Sequence, residues 1–204
     1  MNLENIIPKD GPSIEEVKKY IKKYSNELIV IKCGGSVLLD VGLFNQFIED
    51  ISAINHLGLS VIVVHGGGKN IKKELDKHKI ESKFIDGLRV TDENTMTIVE
   101  KALLELNTEI LNNLTNKEAN AKSVTPKSEN IIKITPEKNE LGFVGNPKKI
   151  NKEVLLNIVT EKKVPIVAPM GVGDDGKIYN INADVVSGST VSYTHLRAHE
   201  TCTN

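Results

Sequence analysis

The chain has 204 residues, 39% hydrophobic and 26% charged, so it is long enough for one well-formed core and has an ordinary globular composition. Its formal net charge of −1 argues against the basic surface that binds nucleic acids or anionic membranes. It has no apolar run of the ~18 residues that a membrane span requires, no signal-peptide pattern at its start and only two cysteines. We therefore expect a cytoplasmic protein with no nucleic-acid or membrane partner and no disulfide framework.

The first 80 residues alternate between helical and strand patterns. Ser13 and Glu16 form a capping box, and apolar residues follow them at helical spacing. Two runs of branched aliphatic residues predict buried strands, and Asp40 is placed to cap the helix between them. The predicted elements are a helix over residues 13–24, a strand over 28–32, a helix from 40 to 58, a strand over 60–64 and a helix over 69–77.

The longest predicted helix covers about residues 92–114. One apolar stripe recurs along it at spacings of three and four, and Leu104 and Leu111 add a second stripe. The first stripe consists of Met96, Val99, Leu103, Leu106, Ile110 and Leu114. One stripe suits packing on a core, whereas two suit burial on two sides. The pattern alone therefore leaves two interpretations, a helix inside its own domain and a helix that also contacts a partner subunit.

The rest of the chain continues the alternation in a weaker form. Residues 115–140 are polar and rich in lysine, and we interpret them as a surface excursion with one short strand at 131–134. The further predictions are a helix over 151–160, a strand over 164–168, a hairpin turn at 173–176 and a helix that starts near 184. Strands that alternate with helices predict an α/β fold with a mostly parallel sheet.

The last segment, residues 189–204, breaks this pattern. It has no apolar period, and it contains two of the five histidines, one of the two cysteines and one of the two arginines. His195, His199 and Cys202 can suggest a metal site, but they have no second pair of ligands at a suitable spacing. We interpret the segment as a frayed or foreign tail, similar to the translated adaptor read-through that ends some environmental gene fragments.

Two glycine turns carry the main functional signal. Lys32-Cys33-Gly34-Gly35 and His65-Gly66-Gly67-Gly68 each follow a buried-type strand and lead into a helical pattern. Backbone N–H groups at such turns and at helix N-termini point at anions, and glycine leaves room for the anion to approach. Lys32, at the mouth of its strand, can place a point charge on a phosphoryl oxygen, although a surface lysine is the plain alternative.

Several other glycine-rich sites do not fit this sequence. There is no G-x-x-x-x-G-K-[ST] and no G-x-G-x-x-G, which disfavours a P-loop enzyme and a Rossmann dinucleotide site. The His-Gly-Gly-Gly run also occurs at the oxyanion hole of esterases, but those enzymes need a G-x-S-x-G elbow that is absent here. We therefore expect His65 to be a hydrogen-bonded residue at a strand end.

Two further groups of polar residues are candidates for ligand binding. Arg89 is one of only two arginines in a chain that otherwise uses lysine, which suggests a bidentate grip on a carboxylate. A structural ion pair is the alternative for this arginine. Asn180, Asn182 and Asp184 share one face if their segment is extended, where they can face a ligand and orient lysine ammonium groups. Asp184 can instead cap the helix that follows.

Taken together, these motifs resemble the amino-acid kinase family. They match it in order and approximate spacing over about residues 27–188, at 31–35, 64–68, 87–92, 142–145, 167–171 and 179–184. Gly-Leu-Arg-Val-Thr with Asn-Ile-Asn-Ala-Asp resembles the members that phosphorylate N-acetyl-L-glutamate in arginine biosynthesis. The family fold that this implies is a three-layer α/β/α sandwich with a mainly parallel sheet. The helix before the first strand resembles the extension of arginine-sensitive hexameric members, so the resemblance also implies a homo-oligomer, a dimer or a hexamer.

The resemblance also implies a role for each site residue. ATP, accompanied by Mg²⁺, would transfer its terminal phosphoryl group to the γ-carboxylate of N-acetyl-L-glutamate, with no metal ligand from the chain itself. The carboxylate is already ionised at neutral pH and needs no general base. The implied catalytic residues are Lys32 and Asp184, the implied phosphate-binding residues are Gly34 and Gly35, and the implied substrate-binding residues are Gly67, Gly68, Arg89 and Asn180.

The sequence departs from the family pattern in two places. The family's nucleotide-binding half, which carries a second catalytic lysine, would follow residue 188, where this sequence has the segment 189–204. Residues 122–130 also lack the family's usual glycine-rich turn. We therefore expect an N-terminal helical extension over 1–26, a substrate-binding kinase domain over 27–188 and a foreign-looking tail over 189–204, with little activity in the chain as it stands. The alternatives are a kinase of another acylated amino acid or phosphate substrate on the same fold, and a non-catalytic small-molecule-binding protein.

Overall fold

Valine- and isoleucine-rich strands form the centre of the fold. The computed structural model describes residues 11–35, 37–194 and 197–199, with the backbone alone for 194 and 197–199. The helices are α1 (Ile14–Tyr24), α2 (Val41–His56), α3 (Gly68–Lys77), α4 (Glu93–Asn116), α5 (Lys152–Thr160) and α6 (Ala183–Thr194). The strands are β1 (Leu28–Cys33), β2 (Ser60–His65), β3 (Phe84–Ile85), β4 (Leu88–Arg89), β5 (Ala121–Val124), β6 (Ile132–Pro136), β7 (Gly145–Ile150), β8 (Val164–Val167), β9 (Met170–Val172), β10 (Ile178–Asn180) and β11 (Arg197–His199).

The main sheet is parallel and has the order β11-β1-β2-β8-β5. Alternate residues of its strands point to opposite faces. Ile31, Val63 and Ile166 pack with α2 and α4, whereas Val30 and Ile62 pack with α5 and α6 on the other face. Helices therefore cover both faces of the sheet, and the predicted three-layer α/β/α architecture is confirmed.

A second sheet packs beside this core. Strands β10-β9-β6-β7 form a mixed four-stranded sheet, and β3 with β4 forms a small hairpin. Ile132 and Ile134 of β6 are buried in the same cluster as Val30 and Ile62 of the main sheet. The second sheet therefore shares the core beneath α5 and α6, and it brings β10 beside the carboxyl ends of the main strands.

The predicted helices agree with the structure to within a few residues. Helix α4 extends slightly further than predicted, and the Asp92 carboxylate caps it by accepting from the Thr95 N–H at 2.7 Å. The Asp40 carboxylate caps α2 in the same way, at 2.9 Å from the Leu43 nitrogen. The predicted hairpin turn at 173–176 joins β9 to β10. In the described part of the chain, no helix is long and apolar enough to cross a membrane.

The prediction of a surface excursion over residues 115–140 was wrong, although the short strand predicted within it is present as β6. Residues 121–124 form β5, the edge strand of the main sheet, and Val124 at its end is buried. The strand predicted at 131–134 belongs to the β6–β7 hairpin, whose second strand was not predicted. Polar residues obscured the strand pattern of the two unpredicted strands, namely Lys122 and Ser123 in β5 and Lys148 and Lys149 in β7.

Regular structure continues beyond the predicted boundary at residue 188. Helix α6 extends to Thr194, and the Thr190 hydroxyl donates to the Val186 carbonyl at 2.8 Å inside the protein. Residues 197–199 pair with β1. His195 and Cys202 lie outside the described residues, as does the side chain of His199, so the structure does not test the metal site that the sequence analysis disfavoured.

Candidate active site

One cavity of about 390 Å³ lies at the carboxyl ends of β1 and β2. The ends of parallel strands are where α/β proteins usually bind ligands. All the site residues predicted from the sequence line this cavity: Lys32, Gly34, Gly35, Gly67, Gly68, Arg89, Asn180 and Asp184. They come from four separate segments of the chain, so the fold brings together what the sequence separates.

Lys32 and Asp184 form an ion pair in this cavity. The Lys32 Nζ lies 2.9 Å from the Asp184 Oδ1, and about a quarter of the lysine side chain is exposed. Asn182 Oδ1 accepts from the Asp184 N–H at 2.7 Å and so caps α6. The capping role weighed for Asp184 belongs to Asn182, and the Asp184 carboxylate is directed to the lysine.

The first glycine turn leaves space for the lysine. A Cβ on Gly34 would lie 3.1 Å from the Lys32 Nζ, so a larger residue would crowd the ammonium group. Cys33, between them, points away into the core, where burial raises the pKa of its thiol to about 12. The cysteine is therefore held as a thiol and does not serve as a nucleophile.

The second glycine turn approaches α4 very closely. A Cβ on Gly67 would lie 2.4 Å from Leu103 Cδ2, whereas a Cβ on Gly68 would meet nothing within 4 Å. Gly67 is the N-cap of α3 and offers no side chain to its first N–H groups. Those groups lie beside the cavity, where they can bind an anion.

Arg89 is held in place without a carboxylate partner. Its guanidinium donates to Ser82 Oγ and, at 3.1 Å, to the Gly68 carbonyl oxygen, and it lies 4.8 Å from the centre of the Phe84 ring. Burial lowers its pKa. Among the described side chains no carboxylate pairs with it, so the structure does not support the ion-pair alternative. A buried guanidinium with unused N–H groups is suited to a carboxylate ligand.

His65 lies behind the glycine turn in a buried hydrogen-bond network, as expected. Its Nδ1 donates to the Gly66 carbonyl oxygen at 2.8 Å, and its Nε2 accepts from the Asn107 amide at 3.1 Å. That amide also donates to the Ile166 carbonyl oxygen, and the Asn107 Oδ1 accepts from Ser123 Oγ at 2.5 Å. The network joins β2, α4, β5 and β8, and it requires a neutral imidazole. Burial lowers the pKa of His65 to about 4.

We expect this histidine to make stability depend on pH. The pKa of His65 is about 4 in the folded protein and about 6.5 when unfolded, so the unfolded chain binds an extra proton between these values. The free energy of unfolding should therefore fall as the pH drops from 6.5 toward 4, by about 3 kcal/mol at most. Urea unfolding at pH 7.5, 6.5, 5.5 and 5.0 measures this fall.

A His65→Gln variant provides the control, because glutamine does not titrate. It should be less stable at pH 7.5 but lose less stability than the parent between pH 6.5 and 5.0. The Glu74 carboxylate has a pKa lowered to about 2 by hydrogen bonds from Lys77 and Lys101, so its effect begins only below about pH 4.5. Equal losses in parent and variant above pH 5 would contradict the assignment to His65.

Several residues of the cavity were not predicted as site residues. Leu103 was assigned only to the core, yet it forms part of the cavity floor beneath Gly67. Phe84 and Ser82 contact Arg89 from the β3–β4 region, and no pattern in the sequence marks them. Lys69 and Val144 also line the cavity. Only contacts that the fold creates identify these residues.

The glycine turns, the lysine–aspartate pair and the buried arginine give this α/β protein a cavity that is suited to an anionic ligand. The family model of the amino acid kinase family matches residues 27–192, and the chain belongs to this family. Its similarity to acetylglutamate kinases is pronounced. It is 52% identical to the one from Pelagibacter ubique over 92% of this chain and 65% of that protein. It is 42% identical to the one from Thermoanaerobacter pseudethanolicus over 85% of this chain and 59% of that protein.

Solved structures show the same fold. The structure of smu.665 from Streptococcus mutans UA159 matches with a TM-score of 0.76 and 28% identity, over 82% of this chain and 69% of that one. N-acetylglutamate synthase from Neisseria gonorrhoeae, complexed with coenzyme A and N-acetyl-glutamate, matches with a TM-score of 0.80 and 18% identity. The match covers 93% of this chain and 45% of that one. The chain thus spans about three fifths of the length of the curated relatives it matches.

Proposed function

We propose that this chain carries the acceptor-substrate site of a kinase that phosphorylates the γ-carboxylate of N-acetyl-L-glutamate. The observation that carries the proposal is the buried Arg89 guanidinium, which has no carboxylate partner among the described side chains and lines the same cavity as Lys32 and Asp184. A dicarboxylate can place one end on the arginine and the other near the lysine. The similarity to acetylglutamate kinases supports this choice of substrate.

The proposed mechanism depends on position and charge. Arg89 holds the α-carboxylate, the second glycine turn and Asn180 bind the rest of the substrate, and the γ-carboxylate points toward Lys32. The Lys32 ammonium and the N–H groups of Gly34 and Gly35 offset the negative charge on the phosphoryl group during transfer. Asp184 keeps the ammonium in place through the 2.9 Å contact.

ATP is the proposed phosphoryl donor, and its Mg²⁺ neutralises charge on the phosphates. The part of the chain that the structure describes has no group of three or more His, Cys, Asp or Glu residues arranged to hold a metal ion. In the proposal, Mg²⁺ would enter with the nucleotide, and the residues of this chain act on the acceptor and on the transferring group. We further propose a homo-oligomer, since Leu104 and Leu111 on α4 are only half-buried. The similarity to acetylglutamate kinases supports the proposal of a cytoplasmic enzyme of arginine biosynthesis.

We expect substitutions of the ion pair to lower the rate of catalysis more than substrate binding. The assay protein joins this chain to the part of the Pelagibacter relative that the chain does not cover, and hydroxylamine traps the acyl phosphate. Lys32→Gln should lower kcat by about 100-fold or more, because it removes a cation that acts on the transition state. Asp184→Asn should lower kcat by about tenfold. The KM for N-acetyl-L-glutamate should change only a few-fold in both variants.

The control is Lys133→Gln, which removes an exposed lysine of β6 outside the cavity and should retain kcat within about twofold. If Lys32→Gln behaves like this control in an active fusion, the proposed role of the ion pair is wrong. A panel of N-acetyl-L-glutamate, N-acetyl-aminoadipate and L-glutamate separates the substrate alternatives. Preference for the longer diacid would favour another acylated amino acid as the acceptor.

A further inference from the structure

A side chain added at either glycine of the Gly34-Gly35 pair would meet a different lysine. A Cβ on Gly34 would lie 3.1 Å from the Lys32 Nζ, and a Cβ on Gly35 would lie 3.6 to 3.7 Å from Cγ, Cδ and Cε of Lys69. The first lysine comes from β1 and the second from the first turn of α3. The two side chains therefore reach the glycine turn from opposite strand–helix joints, and both line the cavity.

The position of Lys69 in α3 is unfavourable for the helix itself. The N-terminus of a helix carries a partial positive charge, which favours acidic residues there and disfavours cations. The first turn of α3 has no acidic residue, yet it contains Lys69. An anion bound at the glycine turn would remove this conflict, because it would interact favourably with both the lysine and the helix N-terminus.

Lys69 differs from the other lysines of the cavity because it forms no ion pair with a described side chain. Lys32 pairs with Asp184 at 2.9 Å, and Lys72 pairs with Asp76 at 3.1 Å. Among the side chains that the structure describes, Lys69 has neither a hydrogen bond nor an ion pair. Cγ, Cδ and Cε of its stem lie beside Gly35, so the ammonium group, one bond beyond Cε, is within reach of an anion at the glycine turn.

We propose that Lys69 is a second catalytic lysine within this chain, which binds the transferring phosphoryl group opposite Lys32. This inference rests on the proposed function. In the step, a γ-carboxylate oxygen of the acceptor forms a bond to the terminal phosphorus of ATP, and the bond from that phosphorus to the ADP oxygen breaks. The electron pair leaves with ADP, no proton moves, and both lysines remain protonated.

The test compares two ligands that differ only at the phosphoryl group. Calorimetry on the 204-residue chain measures binding of N-acetyl-L-glutamate and of a stable analogue of its acyl phosphate, in which CH₂ replaces the bridging oxygen. Lys69→Met keeps the stem and removes the charge. It should weaken binding of the analogue about tenfold and change binding of N-acetyl-L-glutamate less than twofold.

Two further variants act as controls. Lys73→Met removes an exposed lysine of α3 that does not line the cavity, and it should leave both affinities within twofold. Lys69→Arg keeps the charge and should retain binding of the analogue within about threefold. Thermal unfolding checks that each variant is folded, which we expect because Lys69 is exposed.

The outcomes separate this inference from the proposed function. If the parent binds both ligands and Lys69→Met weakens them equally, or no more than Lys73→Met does, the role of Lys69 is overturned and the substrate assignment stands. Lys69→Arg retains the charge, so a loss of affinity for the analogue as large as in Lys69→Met would also overturn the role of Lys69. If the folded parent binds neither ligand, the proposed function fails, and the inference fails with it.

Discussion

Replacing Arg89 with alanine should weaken binding of N-acetyl-L-glutamate by about 100-fold or more. The reason is that two charge-assisted hydrogen bonds to a carboxylate in a buried site are lost, each worth about 1.5–3 kcal/mol. The remaining contacts of the cavity do not replace them, since Asn180 and the glycine N–H groups bind other parts of the ligand in our proposal. Isothermal titration of the chain with N-acetyl-L-glutamate measures the effect.

Arg89→Lys is the informative companion variant, because it retains the charge but loses the planar fork of the guanidinium. It also loses one of the two contacts that position the side chain, to Ser82 or to the Gly68 carbonyl. We expect about tenfold weaker binding, between the parent and the alanine variant. If both variants bind like the parent and unfold at the same temperature, Arg89 does not hold the substrate carboxylate.

The second large effect concerns the close contact between Gly67 and Leu103. A Cβ added at Gly67 would lie 2.4 Å from Leu103 Cδ2. Gly67→Ala should therefore lower the free energy of unfolding by about 1–3 kcal/mol through overpacking. Leu103→Ala removes a fully buried side chain and should cost about 2–5 kcal/mol. In the double variant the new methyl group partly fills the space, so the combined cost should fall below the sum by about 1 kcal/mol or more.

Urea unfolding of the four proteins in this cycle measures the coupling. Gly68→Ala is a matched control one residue away, since its Cβ would meet nothing within 4 Å and alanine favours a helix. It should be neutral or slightly stabilising. Strictly additive costs in the double variant, or equal effects of alanine at positions 67 and 68, would contradict the close approach of the turn to α4.

The sequence was most informative where one physical signal dominated. Uniform runs of branched residues predicted β1 and β2, and the Asp40 cap marked the start of α2. The candidate site residues were found because glycine pairs at strand ends and a rare arginine are unusual choices. The resemblance to a known family then supplied roles that residue types alone leave open.

Features that arise only from tertiary contacts could not be predicted. Strand β5 is short with only Val124 fully buried, and β7 contains Pro147 and two lysines, so their local composition resembles that of a loop. Asn182 and not Asp184 caps α6, because the Asp184 carboxylate faces Lys32 in a tertiary contact that the local sequence does not reveal. Leu103 shows an ordinary helical periodicity, and nothing in the sequence reveals that Gly67 packs against it.

The central claim is that the cavity at the ends of β1 and β2 selects N-acetyl-L-glutamate. The most direct measurement is an isothermal titration of the folded chain with N-acetyl-L-glutamate and, separately, with L-glutamate, at one pH and ionic strength. Our account predicts saturable 1:1 binding of the acetylated ligand and at least about tenfold weaker binding of L-glutamate. The reason is that the free ammonium group of L-glutamate would be repelled by Lys32, Lys69 and Arg89, which line the cavity. Equal binding of the two ligands, or no binding of either by a folded chain, would contradict it.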